Sequence, residues 1–227
     1  MSTKAVVMLL TVLIAGMAFN TTNAEIKAVG QVAVLKGSAA RYTPDGSAQA
    51  LGRGDRVYEQ DRIETGERSL ISIRFDDNTR FNLGPKSIFK VNKVVSGDDG
   101  IFDTEVIKGA FRFVTGLIAK RRPRAMRVKT GVVATIGIRG TTVGGEVEGD
   151  SAVVVLLESK ETDGPSAIEV GNVHGKVVIT KPGYGTRIPD ANSPPSPPQR
   201  MRLRAIENLV RNITNIQRIA VPRPRIR

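Results

Sequence analysis

Lys120, Arg121, Arg122, Arg124, Arg127 and Lys129 place six cations within ten residues. Their chemistry is that of binding. Guanidinium and ammonium groups held close together attract anions, so the run could dock an anionic glycan, a lipid headgroup or an acidic partner. The plainer reading is a solvated hairpin loop, because charge runs generally sit in exposed turns. A second arginine-rich element closes the chain. From Arg200 onward there are eight arginines, among them Arg202, Arg204 and Arg211, against the single acid Glu207. That tail carries +7 of the chain's net +12, so the basicity is concentrated there. Between the two lies Gly137-Ile138-Arg139-Gly140-Thr141. The planar, five-donor guanidinium of Arg139 suits a carboxylate or carbonyl. The preferred reading is structural, with Arg139 tying strands together while its glycines permit close backbone approach.

Catalytic and metal chemistry find little support. His174 is the only histidine, there is no cysteine, and no nucleophile elbow, H-E-x-x-H helix motif or phosphate loop occurs. The acids cluster as Asp76-Asp77 and Asp98-Asp99, where they read as turn formers, and their spacing fits no calcium-binding loop of the EF-hand kind. Arg53-Gly54-Asp55 is read as a turn rather than an adhesion tripeptide. No cofactor and no enzymatic activity are expected. The rival reading is an enzyme, or a subunit of one, acting on an envelope polymer.

The elements that must position these residues are strands. Ile71, Ile73 and Phe75 alternate with Ser72 and Arg74, the period of a half-buried strand. Phe81 and Leu83, Phe89 and Val91, Phe102 to Val106, and Phe111 to Thr115 repeat the pattern between turn residues. Val153 to Leu157 is apolar without alternation and is expected to be buried on both faces. No helical period is sustained between Glu25 and Asp190. Residues 26–188 are therefore expected to form a single compact all-β domain, as a sandwich, a roll or a short β-solenoid.

Residues 1–24 read as a cleaved signal peptide: Lys4, an apolar stretch from Ala5 to Phe19, then Thr22 and Ala24 before Glu25. The stretch is shorter than the ~20 residues of a membrane span. A periplasmic or secreted location follows. Residues 189–199 read as a proline-rich, semi-rigid linker. In residues 200–220, Ile206, Leu209, Val210, Ile213 and Ile216 recur at helical spacing, predicting a basic amphipathic helix. Residues 221–227 are expected to be a disordered tail. The helix could lie on an anionic membrane, pack its stripe on the β-domain or a partner protein, or order only on binding. The second placement is preferred. Nucleic acid is not an expected partner, since no set of stacking aromatics is present.

In order along the chain, Gly30-Gln31-Val32, the Gly54-Asp55 turn, Ile63-Glu64-Thr65-Gly66 within a D-x-I-x-T-G step, and Phe75-Asp76-Asp77-Asn78 resemble the FecR domain family. Gly109 to Val114, Ile136 to Thr141 and Lys181 to Thr186 continue the likeness, over about residues 29–188. Asn78 and Thr79 stand where the family has glycine and serine. The resemblance implies an extracytoplasmic all-β binding or signalling module. Family regulators also carry a cytoplasmic anti-sigma segment and a transmembrane helix. This chain's leader has no room for the former, so a sigma factor is not an expected direct partner. The expected partner is an envelope protein or an anionic envelope polymer.

Overall fold

The computed structural model describes residues 27–201, except 123, 132, 140 and 159–165, and residues 204 and 207 singly. The signal peptide, the amphipathic helix of residues 200–220 beyond Met201, and the 221–227 tail therefore lie outside the described residues, those two positions apart.

The chain runs β1 (Ala28–Lys36), β2 (Ala39–Tyr42), β3 (Ala48–Ala50), β4 (Arg56–Tyr58), β5 (Arg62–Thr65), β6 (Leu70–Phe75), β7 (Arg80–Leu83), β8 (Ile88–Val95) and β9 (Ile101–Val114). It continues through α1 (Leu117–Arg121), β10 (Met126–Thr130), β11 (Ala134–Arg139), β12 (Thr142–Glu148), β13 (Ser151–Leu157), β14 (Ala167–Asn172), β15 (Gly175–Ile179), β16 (Tyr184–Ile188) and β17 (Gln199–Arg200). These strands form one continuous sheet that is not closed.

The sheet is folded into two layers by β9, which belongs to both. Its Gly109–Val114 half sits in a first layer ordered β4-β1-β6-β7-β9-β12-β13-β16-β17. Its Ile101–Lys108 half sits in a second, ordered β3-β2-β5-β8-β9-β10-β11-β14-β15. The strand turns between layers at Gly109, whose φ of +96° and closeness to Ser87 leave no room for a side chain: a Cβ would fall 2.7 Å from the Ser87 Cα. The expected all-β fold is thus a two-layered, folded-over sheet, since its pairings are antiparallel ladders with one parallel pair rather than stacked repeats.

The layers close on phenylalanine. Phe75, Phe81, Phe89, Phe102, Phe111 and Phe113 are all fully buried. Phe75 on β6 meets Phe102 on β9 edge-on at 4.9 Å, and Phe81 on β7 meets Phe89 on β8 at 4.4 Å. Each such ring contributes roughly 1.5–3 kcal/mol of apolar burial. Ile71, Ile73 and Phe75 face this core as their alternation predicts. β13 is buried on both faces, as expected of Val153 to Leu157.

Local detail differs from the expected hairpin and adds to the rest. The basic run is no hairpin: β10 pairs parallel to β9, so residues 115–125 form a crossover from the first layer to the second, through α1. That helix is a five-residue turn, too short to leave a helical period. Within the proline-rich segment 189–199, expected to be a semi-rigid linker, hydrogen bonds tie Ser193 and Ser196 to the strands. Thr186 Oγ1 donates to the Ser196 carbonyl at 2.7 Å, Arg187 N to Ser196 Oγ at 3.0 Å and Asn172 Nδ2 to the Ser193 carbonyl at 2.8 Å.

Candidate binding surface at the basic crossover

The crossover is held at its start by two polar clamps. Thr115 N donates to the Thr141 carbonyl at 3.1 Å, and Thr141 N donates to Thr115 Oγ1 at 2.8 Å. The end of the glycine-arginine motif is thereby fastened to the exit of β9. Gly116 N then donates to Thr79 Oγ1 at 3.0 Å, and Leu117 N to the Asp77 carbonyl at 2.8 Å. Asp77, in the β6–β7 turn, is 3% exposed, and its carboxylate accepts from Thr79 N at 2.9 Å, Thr79 Oγ1 at 2.8 Å and Ile118 N at 3.4 Å. A buried carboxylate needs such donors. Gly116 approaches this turn so closely that a Cβ would lie 2.8 Å from the Asn78 carbonyl carbon and closer still to the Asp77 oxygen. Asn78 adopts φ +67°, so it does what the family's glycine would do, and the Thr79 hydroxyl does what the serine would.

From this anchor the predicted cations fan out. Lys120 and Arg121 lie on α1, Arg122 and Arg124 follow it, and Arg127 and Lys129 lie on β10; all six are exposed. Three have acidic neighbours: Arg121 with Asp98 at 3.5 Å, Arg122 with Asp99 at 3.2 Å, and Arg127 with Asp103 at 3.6 Å. Exposed pairs of this kind contribute only about 0–1 kcal/mol. Lys120, Arg124 and Lys129 have no hydrogen-bond or ion-pair partner among the described residues. Leu117, 43% exposed, adds an apolar side chain at the same place.

Lys129 and Arg127 sit within charged rows on the outer face of the second layer. One row runs Arg62, Lys90, Glu105, Lys129 and the next Lys93, Asp103, Arg127. The rows continue through Thr135 and Gly137 of β11 to Gly171 and Glu169 of β14. Gly137 was expected to permit close approach. It does not: a Cβ there would meet nothing nearer than 3.8 Å. Arg139 pairs with Ala167 through its backbone; its side chain, and Gly140, lie outside the described residues. The Thr141 hydroxyl is buried without a partner among the described residues.

Arg200 is exposed on β17 and Arg204 is exposed; Arg202 and Arg211 lie outside the described residues. The register Val114, Thr142, Leu157 and the pairing of Tyr184 with Arg200 put β17 at the same end of the first layer as the crossover. Four strand spacings separate them, about 19 Å. The two basic elements thus share one end of the molecule without touching.

A cleft of about 670 Å³ opens at the other end, over the β9 bend. Leu70, Ala110 and Val147 line it, with Lys36, Arg68, Lys86 and Lys108 opposed by Glu67, Glu146 and Glu148. Lys86 pairs with Glu67 at 2.8 Å, and the walls carry no single sign. None of the sequence-predicted site residues lies here. His174 is an exposed turn residue, and no metal-holding cluster occurs among the described residues. Arg53-Gly54-Asp55 is a turn, with Gly54 N donating to the Val32 carbonyl at 2.8 Å and Gly52 N to Asp55 Oδ2 at 2.7 Å. Asp61, in the D-x-I-x-T-G step, is 1% exposed. Burial pushes its carboxyl above the usual range against the pull of Tyr58 N and of Arg41, 3.6 Å away.

No helix among the described residues is long and apolar enough to cross a membrane. The curated proteins give no match. Among solved structures, the chain is similar to a "putative anti-sigma factor" from Parabacteroides distasonis ATCC 8503, at 12% identity and a TM-score of 0.51. That match covers 66% of this chain and 64% of the other, so the chain spans just under two thirds of its length, and the likeness is one of fold. A "Cell surface anchoring domain" matches 27% of this chain and 82% of its own, at 29% identity and a TM-score of 0.27. The family model described as FecR protein matches residues 61–160, under half of the chain and narrower than the resemblance drawn over 29–188, a span that contains Asp61, Asp77, Gly116, the basic crossover and Thr141.

Proposed function

We propose that this protein is a non-catalytic, exported binding module of the cell envelope. In this reading it works within envelope signalling or assembly and engages an anionic partner through its basic crossover. The FecR match supports the envelope setting. The observation that carries the binding surface is the set Lys120, Arg124 and Lys129. They are exposed and without partners among the described residues; the crossover that bears Lys120 and Arg124 is fastened by the buried Asp77, Thr79 and Gly116 contacts, and Lys129 is held in β10 between β9 and β11. Cations held this way attract an anionic surface without ordering a flexible loop at the moment of contact. An acidic envelope protein or an anionic envelope polymer supplies the matching charge.

The test is retention of the full chain on immobilised alginate and on immobilised poly-glutamate under a rising salt gradient. Lys120→Gln/Arg124→Gln/Lys129→Gln should elute at clearly lower salt than the parent. Arg121→Gln/Arg122→Gln/Arg127→Gln removes the same three charges, from side chains already paired with Asp98, Asp99 and Asp103, and should shift elution less. Equal shifts for the two variants would show that net charge alone governs retention and would sink the assignment.

A further inference from the structure

The outer face of the first layer carries a buried apolar patch among polar and charged residues. On β13, Ala152, Val154 and Leu156 belong to the core, whereas Val153, Val155 and Leu157 alternate to the other side. Val153 and Val155 are nevertheless only 8% and 2% exposed. Val114 on β9 and Thr142 on β12, in one row with Leu157, are 5% and 1% exposed. Val114, Val153 and Val155 stand outside the core cluster. A sheet face left to water alternates towards polar residues. Most of this face does, with Arg74, Arg80, Arg112, Glu146 and Arg187 on that side; the patch of Val114, Val153 and Val155 does not, and its burial marks it as a place to be covered.

The path of the chain indicates by what. Gly144 and Gly185 flank Val155 on the same row, with Arg112 beyond Gly144. A Cβ on Gly185 would lie 3.0 Å from Met201 Sδ, so the chain leaving β17 already lies over this face. Beyond Met201 the sequence continues to residue 227, with Ile206, Leu209, Val210, Ile213 and Ile216 in one helical stripe. Residues 206–216 would span about 15 Å as a helix, and the distance from β16 across β13 and β12 to β9 is about 14 Å. Arg204 and Glu207, the two described residues of this stretch, are both exposed, and both fall off the stripe on a helical wheel.

We propose that the outer face of the first layer is the seat of this chain's own segment 202–220, laid as a strap across β16, β13, β12 and β9. Its stripe covers Val153, Val155 and Val114, and its arginines face water at the crossover end of the molecule. The proposal is independent of what the crossover binds.

The chain has no cysteine, so Asn208→Cys in the full-length protein gives a single site, off the stripe, for a nitroxide label. Methyl signals of Val114, Val153 and Val155 should lose intensity, while Val178, exposed on the outer face of the second layer, keeps it. Full intensity at the three valines overturns the strap. So does a loss that appears when labelled, NMR-silent chains are mixed with unlabelled, methyl-visible ones, since a second copy would then supply the segment. Recovery of the signals on adding phosphatidylglycerol vesicles overturns it in favour of a membrane. Leu209→Asp/Ile213→Asp should restore the valine signals and lower the melting temperature; signals that stay broadened in this variant also overturn it.

Discussion

Gly116→Ala tests whether the crossover is fastened as described. The added Cβ would lie 2.8 Å from the Asn78 carbonyl carbon and closer to the Asp77 oxygen and Thr79 N, all backbone atoms that cannot swing aside. The β6–β7 turn must therefore move off the start of α1. Overpacking of this kind costs about 1–3 kcal/mol. Movement also stretches the bonds from Gly116 N to Thr79 Oγ1 and from Leu117 N and Ile118 N to Asp77. Weakening donors to a buried carboxylate adds about 1–3 kcal/mol. A total near 3 kcal/mol corresponds to a fall of roughly 6–12 °C in melting temperature for a chain of this size. Thermal unfolding followed by calorimetry reads this directly. Thr79→Ser keeps the accepting hydroxyl and should melt close to the parent, whereas Thr79→Val should lose about 1–3 kcal/mol. A Gly116→Ala protein melting within about 2 °C of the parent would mean that the turn and helix are not in register as described.

Gly137→Ala should behave in the opposite way despite its place in the glycine-arginine motif. With no atom nearer than 3.8 Å to the new Cβ, the exchange should be neutral or stabilising by about 0.5–1 kcal/mol, read in the same melting experiment. Asp61 supplies a pH signature. Its folded carboxyl is raised by burial, so the folded state holds its proton more tightly than the unfolded chain, whose carboxyl titrates near pH ~4. Stability is therefore lost as pH rises from that value through the raised one, and Asp61→Asn should remove this loss. Urea midpoints measured from pH 4 to 7 should show the variant gaining on the parent as pH rises; a constant difference would contradict the sign.

Much of the fold was legible because burial on one face writes a period of two into a strand. Ile71, Ile73 and Phe75 announced their core face, and Val153 to Leu157 announced a strand covered on both sides. What could not be read was pairing. β9 serves two layers and pairs with β7, β8, β10 and β12, but a backbone hydrogen bond leaves no mark on the side chains that flank it. The crossover was misjudged as a hairpin for that reason, since the parallel partner of β10 is set by long-range contacts. Nor did the cations reveal their neutralising acids. Asp98 and Asp99 lie some twenty residues upstream, in a turn that reads equally well as plain turn chemistry. The proline-rich stretch read as a spacer because its prolines lack donors, whereas its attachment runs through Ser193 and Ser196.

The motifs that mark the family divide accordingly. Asp61 and Thr65 hold turns: Tyr58 N donates to the Asp61 carboxylate, and Thr65 Oγ1 donates to the Gly84 carbonyl at 2.6 Å while accepting from Ser87 N at 2.9 Å. Asp77, Thr79, Thr115, Gly116 and Thr141 converge on the single point where β9 ends and the chain crosses between layers. Residues buried in such polar contacts are unavailable to a partner, and they explain why the run from 109 to 141 is so recognisable without its being a ligand site. The side chains free to act are those the clamps hold out into solvent. Because Lys120 and Arg124 are placed by these clamps, a variant that loosens Gly116 should weaken anion retention even though no cation has been removed. A crossover that kept full retention after losing its anchor would show that charge density, not placement, is what the surface offers.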